Sequence, residues 1–149
     1  MAVTHRQDNT TVPLILSENS LVKNETIIAN AGRTTPLLYG TVMCKIAASG
    51  LWTPFVNAAL TTGASIPRGI YLGDDIPAAD LVAGNIADIP MLVGNATVNE
   101  SLVVFDDGTL NAESVIGAAS IHAAMARDVI AAVSNIYFEL TENISEHEN

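Results

Sequence analysis

The chain has 149 residues, of which 49% are apolar, and this length and apolar content suit one domain with a hydrophobic core. Its 16 acidic and 6 basic residues give a net charge of −10, and such an acidic surface disfavours binding to nucleic acid and to anionic membranes. The basic residues are spread along the sequence, which predicts no basic patch: Arg6, Lys23, Arg33, Lys45, Arg68 and Arg127.

The first thirty residues predict an extended N-terminal arm. Residues 1–11 are polar, and two short apolar runs follow, one broken by Pro13 and one that ends before residues 30–32. An extended segment with scattered apolar side chains can add a strand to the sheet edge of a partner. The side chains predicted to contact that partner are Val12, Leu14, Leu16, Thr26, Ile27 and Ile28.

Short strands and frequent turns dominate residues 31–141, which are predicted to form a β-rich domain. A hairpin is predicted to turn at Ser49-Gly50, and the bulky side chains of Trp52 and Phe55 are predicted to be its structural anchors. The predicted strands lie at residues 37–48, 51–56, 70–72, 91–93, 96–98, 102–105 and 135–140. Residues 81–89 favour neither helix nor strand.

One helix is predicted late in the chain, with Asn111 as its N-cap and an end near Arg127. Residues 128–134 are expected to connect this helix to the last strand, and residues 142–149 to form a mobile acidic tail. The predicted fold is therefore mainly β with one short C-terminal helix, in a compact single domain that carries an N-terminal arm.

Sequence patterns typical of enzymes, metal sites and phosphate-binding loops do not occur in the chain. His122 is the one histidine of the predicted domain, and a packed or interface histidine is favoured over a catalytic base. The single Cys44 lies in an apolar run, which favours a buried, unreactive thiol. The acidic clusters at residues 74–80 and 106–107 lack the alternating spacing of a calcium loop. The sequence therefore predicts no catalytic residue, no cofactor and no metal ion.

Taken in order, several segments resemble the lambda-type phage head decoration proteins. The similar segments are residues 25–29 (ETIIA), 38–43 (LYGTVM), 48–55 (ASGLWTPF), 67–72 (PRGIYL), 79–80 (AD), 94–102 (GNATVNESL) and, after an alanine-rich helix, 135–138 (NIYF). Each segment alone is a common strand or turn pattern, and their order and spacing together carry the resemblance. It covers about three quarters of the chain.

The resemblance implies a β-tulip-like fold and a homotrimer that sits at the three-fold positions of the outer capsid surface. It implies that the N-terminal arm orders on the major capsid protein and that the trimer stabilises the mature head against the pressure of packaged DNA. The resemblance implies neither enzyme activity nor a small-molecule substrate. The protein is then expected on the outside of the virion, after synthesis in the host cytoplasm.

Two other interpretations follow from the same features. A different structural virion module, such as a tail, fibre or spike component, shares the β-rich and non-catalytic profile. A small enzyme or ligand-binding β domain is the other, and it would use His122 or the pair Asp74 and Asp75.

Overall fold

Seven strands and two α-helices lie in the part of the chain that the structure, a computed structural model, describes. The described residues are 13–55, 66–104 and 120–139, with the backbone alone described for 120–126. In chain order the elements are β1 (Leu21–Ile27), β2 (Val42–Lys45), β3 (Trp52–Pro54), β4 (Pro67–Tyr71), α1 (Ala78–Ala83), β5 (Ile86–Gly94), β6 (Ala96–Asn99), α2 (Ser120–Ser134) and β7 (Ile136–Glu139). A short 3-10 turn, Glu100–Leu102, follows β6.

Five strands close into a small barrel in the order β1-β3-β2-β4-β5. The longest ladder joins β1 to β5 in antiparallel fashion, from Leu21 opposite Gly94 to Ile27 opposite Ile86. Strand β2 pairs antiparallel with both β3 and β4. Strand β3 has three residues, and within the described chain its parallel pairing with β1 consists of Ile27 opposite Trp52. That pair closes the barrel.

The β2–β3 hairpin turns where the sequence predicts it. The N–H of Gly50 donates to the Ile46 carbonyl at 2.7 Å, and the N–H of Ile46 donates to the Leu51 carbonyl at 2.8 Å. Gly50 has a φ of +73°, a conformation that residues with a side chain rarely adopt. The hairpin sets Lys45 opposite Trp52.

Two apolar cores lie on the two faces of the central strands. Side chains alternate across a strand, so Val42 and Cys44 of β2 enter one core while Met43 enters the other. The barrel core contains Ile27, Leu37, Met43, Trp52, Tyr71, Ile76, Leu81, Ile89 and Met91. The second core contains Leu14, Val42, Cys44, Phe55, Ile70, Leu92, Ala96, Val98, Val103, Ile130 and Ile136. Both predicted anchors are buried, Trp52 in the first core and Phe55 in the second.

A second, smaller sheet covers the outer core. Strands β6 and β7 pair in parallel, from Ala96 opposite Ile136 to Asn99 opposite Glu139. The other edge of β6 takes residues 14–16, since the N–H of Leu16 donates to the Thr97 carbonyl at 2.8 Å and the N–H of Asn99 donates to the Leu14 carbonyl at 2.7 Å. Strand β6 is therefore bonded on both edges.

The mainly-β, single-domain prediction is confirmed, whereas the predicted boundary of the arm at residue 30 does not match the structure. Residues Leu21–Ile27 form a barrel strand whose backbone pairs with β5. Residues 14–16 also lie on the domain, against β6. The physical reason is that backbone pairing with a distant strand stabilises β1 although its first four side chains are exposed. Residues 1–12 of the predicted arm and 142–149 of the predicted tail lie outside the described residues.

The helix and strand boundaries differ from the prediction in three further places. Helix α2 continues through residues 128–134 to Ser134, because Ile130 is buried in the second core and keeps the final turns packed. The ambiguous region from residue 81 contains the end of α1 and the start of β5. At the predicted strand 102–105, Val104 makes an isolated bridge to Thr41. None of the described helices has the length and apolar content needed to cross a membrane.

Gly69 lies where the barrel is most tightly packed. A Cβ atom at this position would meet the Leu92 carbonyl oxygen at 2.6 Å and the Trp52 ring at 2.9 Å. Gly69→Ala is therefore expected to lower the free energy of unfolding by about 1–3 kcal/mol through overpacking. Gly84→Ala is the matched control, because Gly84 has an extended backbone and open space around it, and a change within about 0.5 kcal/mol is expected. Urea denaturation measures both, and equal effects would contradict the close packing.

Trp52 is the largest apolar side chain of the barrel core and is 2% exposed. Trp52→Ala is expected to destabilise the protein by ~3–5 kcal/mol, because the substitution removes buried area and leaves a cavity. Tyr39→Ala serves as control, since Tyr39 is 45% exposed and its loss is expected to change stability little. A melting temperature of the Trp52 variant that stays near that of the Tyr39 variant would show that Trp52 does not anchor the fold.

Candidate interaction surface

Three turns meet at one corner of the molecule, and each contains an asparagine in the left-handed conformation. Asn19, Asn95 and Asn135, which we call the asparagine corner, have φ values of +63°, +56° and +56°. Asparagine enters this region more readily than most residues with a side chain, because its short amide can hydrogen-bond locally. The three residues line a shared groove of about 390 Å³.

Hydrogen bonds tie the β5–β6 turn to the turn between α2 and β7. The side-chain amide of Asn135 donates to the Asn95 Oδ1 atom at 2.9 Å. The N–H of Asn95 donates to the Ser134 carbonyl at 3.2 Å, and the N–H of Asn135 donates to the Ala131 carbonyl at 3.1 Å. Asn135 therefore ends α2 in the way a left-handed residue commonly ends a helix.

The segment that precedes β1 forms the third side of the corner. The Ser17 hydroxyl oxygen accepts a hydrogen bond from the N–H of Thr97 at 2.9 Å. After this contact the chain turns at Asn19 and enters β1 at Leu21. The corner thus joins the leading segment, the small sheet and the barrel.

Tyr137 is an exposed apolar side chain that lines the groove of the asparagine corner, and Leu21 and Val133 line a second groove. Among the described residues, four of the seven large apolar side chains that remain exposed lie near the corner, and they are 43–51% exposed: Leu21, Val22, Val133 and Tyr137. Leu21 pairs with Gly94, next to Asn95, and Val133 and Tyr137 stand two residues either side of Asn135. Isolated exposed apolar residues are ordinary, but a group of them beside strained turns is typical of a contact surface.

The predicted arm residues divide into buried and accessible ones. Leu14 and Ile27 are 2% and 1% exposed and fill the cores of the domain, so neither can contact a partner from this position. That part of the contact prediction is corrected, because each side chain gains more from the core than from a solvent-exposed arm. Leu16, Thr26 and Ile28 are partly exposed. Val12 lies outside the described residues.

The acidic residues Asp74, Asp75 and Asp80 line a pocket of about 560 Å³. Two of them accept hydrogen bonds that hold the loop. The Tyr39 N–H donates to the Asp75 carboxylate at 3.0 Å, and the Tyr71 hydroxyl donates to the Asp74 carbonyl oxygen. Burial, together with the nearby charges of Asp74 and Asp75, raises the pKa of Tyr71 to about 12. The phenol therefore stays protonated at neutral pH. Within the described residues, no group of three acidic, cysteine or histidine side chains is placed to hold a metal ion.

Cys44 is buried between the strands, as predicted. Burial raises the pKa of its thiol to about 12, although the nearby Arg68 acts in the opposite direction. The nucleophilic thiolate is therefore scarce at neutral pH, and the side chain acts as a small apolar residue. For His122 the structure places the backbone in α2, and its side chain lies outside the description.

Sequence reasoning missed two features because each depends on residues that are distant in the chain. Arg127 Nε of α2 lies 3.3 Å from the Glu100 carboxylate, and Glu100 is buried. Lys23, Lys45 and Arg68 line one groove, which corrects the prediction of no basic patch. The barrel places β1, β2 and β4 around that groove. Because these strands are distant in sequence, no local pattern predicts the cluster.

The chain matches none of the protein-family models against which it was scanned, and the search of curated proteins found no match either. The resemblance to the decoration proteins therefore rests on the order of the quoted segments.

Asn135 provides a test of the asparagine corner. Asn135→Val is expected to destabilise the protein by about 1–3 kcal/mol, because a β-branched residue is strained at a φ of +56°. Asn135→Gly removes the same amide but adopts this φ freely, so it is the matched control and is expected to retain more stability than the valine variant. Chemical denaturation measures both variants. If valine were tolerated as well as glycine, the left-handed turn would not be a requirement of the fold.

Proposed function

We propose that this protein is a non-enzymatic capsid decoration protein, which binds the outer surface of the mature phage head as homotrimers at three-fold sites and stabilises the head against internal DNA pressure. Its partners are the major capsid protein and further copies of the same chain. The observation that carries the proposal is the order of the family-like segments, which occupy successive elements of one mainly-β domain.

The quoted segments lie on defined elements of the structure. Residues 38–43 lead into β2, residues 48–55 complete the hairpin, residues 67–72 contain β4 and residues 94–102 contain β6 with its 3-10 turn. Two glycines of these segments sit where a side chain does not fit. A Cβ at Gly40, which has a φ of +91°, would meet the Leu102 carbonyl oxygen at 2.7 Å, and Gly69 packs against the Trp52 ring. Glycine at these two positions is therefore required by the packing of this fold.

The asparagine corner and its surroundings supply a surface suited to adhesion. The leading segment already binds a sheet edge through backbone hydrogen bonds, which is the way in which an extended arm recognises a partner. No described strand pairs with the outer edge of β7, and Tyr137 of that strand is 51% exposed. A capsid segment can extend the small sheet at this edge.

Charge and multivalency favour the same role. A net charge of −10 suits a subunit that faces solvent on the outside of a shell, away from the packaged DNA. Three copies held together bind with greater avidity than one, because each contact after the first is intramolecular. Weak individual surfaces are then sufficient for stable decoration.

The proposal is tested with expanded, empty capsid shells of the virus that encodes the chain, prepared without their decoration protein. We expect saturable binding in multiples of three copies, added density at the three-fold positions in electron microscopy, and a higher rupture temperature of the decorated shells. A protein that stays monomeric and leaves the shells bare at every salt concentration would overturn the proposal, and binding at a tail or spike alone would indicate a different virion module.

The role of the N-terminal residues 1–12 of the predicted arm is tested with a deletion variant. Truncation at residue 25 would remove most of β1, so the deletion is limited to residues 1–12, which leaves all described elements in place. We expect loss of shell binding with an unchanged circular dichroism spectrum and melting temperature. A chain that lacks residues 142–149 is the control and is expected to bind normally. Undiminished binding after deletion of residues 1–12 would exclude the arm from capsid attachment.

A further inference from the structure

A second surface, which we call the β1 groove, is lined by Lys23, Glu25, Lys45, Trp52 and Arg68. It contains three of the six basic residues of the chain, against one acidic residue. This groove is distinct from the asparagine corner, although Leu21 and Val133 border both regions. The chain as a whole has a net charge of −10, so this groove is a locally positive region on an acidic protein.

The groove exists because β1 separates from β3. The two strands meet at Ile27 and Trp52, where the Ile28 N–H also donates to the Trp52 carbonyl at 2.9 Å. Over Leu21–Glu25, β1 pairs with β5 on one edge, and no described strand pairs with the other edge. Side chains two residues apart share a face, so Lys23 and Glu25 both line the groove. A strand edge with available backbone groups thus lies beside a cluster of cations.

The cations of the groove have no carboxylate partner in the described part of the chain. There the ion pair is between Arg127 and Glu100, away from the groove. Glu25 lines the groove but forms no ion pair with the three cations, so their charge is compensated only in part. Like charges held near one another repel, and a bound anion removes that repulsion.

Trp52 adds a neutral donor. Its side chain is 2% exposed, and its indole N–H has no acceptor among the described residues. A buried indole N–H usually finds a hydrogen-bond partner. An oxygen atom of a ligand that enters beside the ring can accept this bond. The groove thus offers charged donors, a neutral donor and a free strand edge.

We propose that the β1 groove binds an extended acidic peptide segment of a partner chain, which adds to the free edge of β1 and places its carboxylates against Lys23, Lys45 and Arg68. Backbone N–H and C=O groups of β1 then pair with the peptide, and the cations select Asp or Glu side chains. A nucleic acid is disfavoured as the ligand for two reasons. The surrounding acidic surface repels a long polyanion, and a nucleic acid has no peptide backbone that could pair with the edge of β1. This inference stands whether or not the chain decorates a capsid.

The probe is a synthetic, fluorescein-labelled peptide of alternating valine and glutamate residues, titrated with the full-length chain at low salt. We expect saturable binding by fluorescence anisotropy, a change in the emission of Trp52, which is the single tryptophan of the chain, and weaker binding as salt is added. A peptide with glutamine in place of glutamate is expected to bind at least about tenfold more weakly.

Substitutions of the basic residues test whether the peptide binds in the β1 groove. Lys45→Gln and Arg68→Gln are each expected to weaken binding of the glutamate peptide, and the double variant by about tenfold or more. Arg33→Gln makes the same change in net charge outside the groove and is expected to leave binding unchanged. Unchanged melting temperatures establish that the variants are folded.

Three outcomes would overturn the inference. The first is no binding of the glutamate peptide at low salt, and the second is equal weakening by Arg33→Gln. The third is tighter binding of a single-stranded DNA oligonucleotide than of the peptide. Strand addition is tested separately, because a peptide methylated on alternate backbone nitrogens keeps its charge but loses donors, and equal binding of that peptide would contradict pairing with β1.

Discussion

The architecture depends on one contact, the parallel pairing of Ile27 with Trp52, which joins the first strand to the hairpin and closes the barrel. Both side chains are buried, and Gly69 lets the Trp52 ring approach β4 closely. Because β1 meets β3 only at this point of the described chain, its preceding residues leave the sheet on one side and open the β1 groove. The other end of β1 reaches the asparagine corner. The two surfaces proposed to bind partners therefore lie along a single strand.

Because the central strands are buried on both faces, the two proposed interaction surfaces lie at the edges of the domain. Strands β2, β4 and β5 send alternate side chains into the barrel core and into the core under α2 and the small sheet. With only 15% charged residues, the chain has few side chains that require solvent. Three of the exposed apolar side chains, Leu21, Val22 and Tyr137, lie in β1 and β7, which have edges that no described strand covers completely. Recognition by surface and strand edge suits such a domain better than recognition in a deep cavity.

Local patterns predicted the parts of the fold that local interactions determine. The turn at Gly50, the strand after Gly69 and the burial of Trp52 follow from residues close in sequence. Strand β1 was missed because its exposed first four residues, Leu21 to Asn24, show no alternation of apolar and polar side chains, and its stability comes from pairing with β5. The groove of Lys23, Lys45 and Arg68 was missed for the same reason, since it exists only once three strands are assembled. Local patterns in a single sequence do not show which distant strands pair with one another.

The long-range strand pairing of the small sheet affects the folding rate of the protein. Strand β6 lies between residues 14–16 and β7, so its two ladders join segments from opposite ends of the described chain. Closing such large loops is entropically unfavourable before any contact compensates, and topologies rich in distant pairings fold in roughly milliseconds to seconds. During this interval the edges of β6 remain open to other molecules. At high protein concentration these open edges would favour mispairing between chains, and the net charge of −10 opposes it because like-charged chains repel one another.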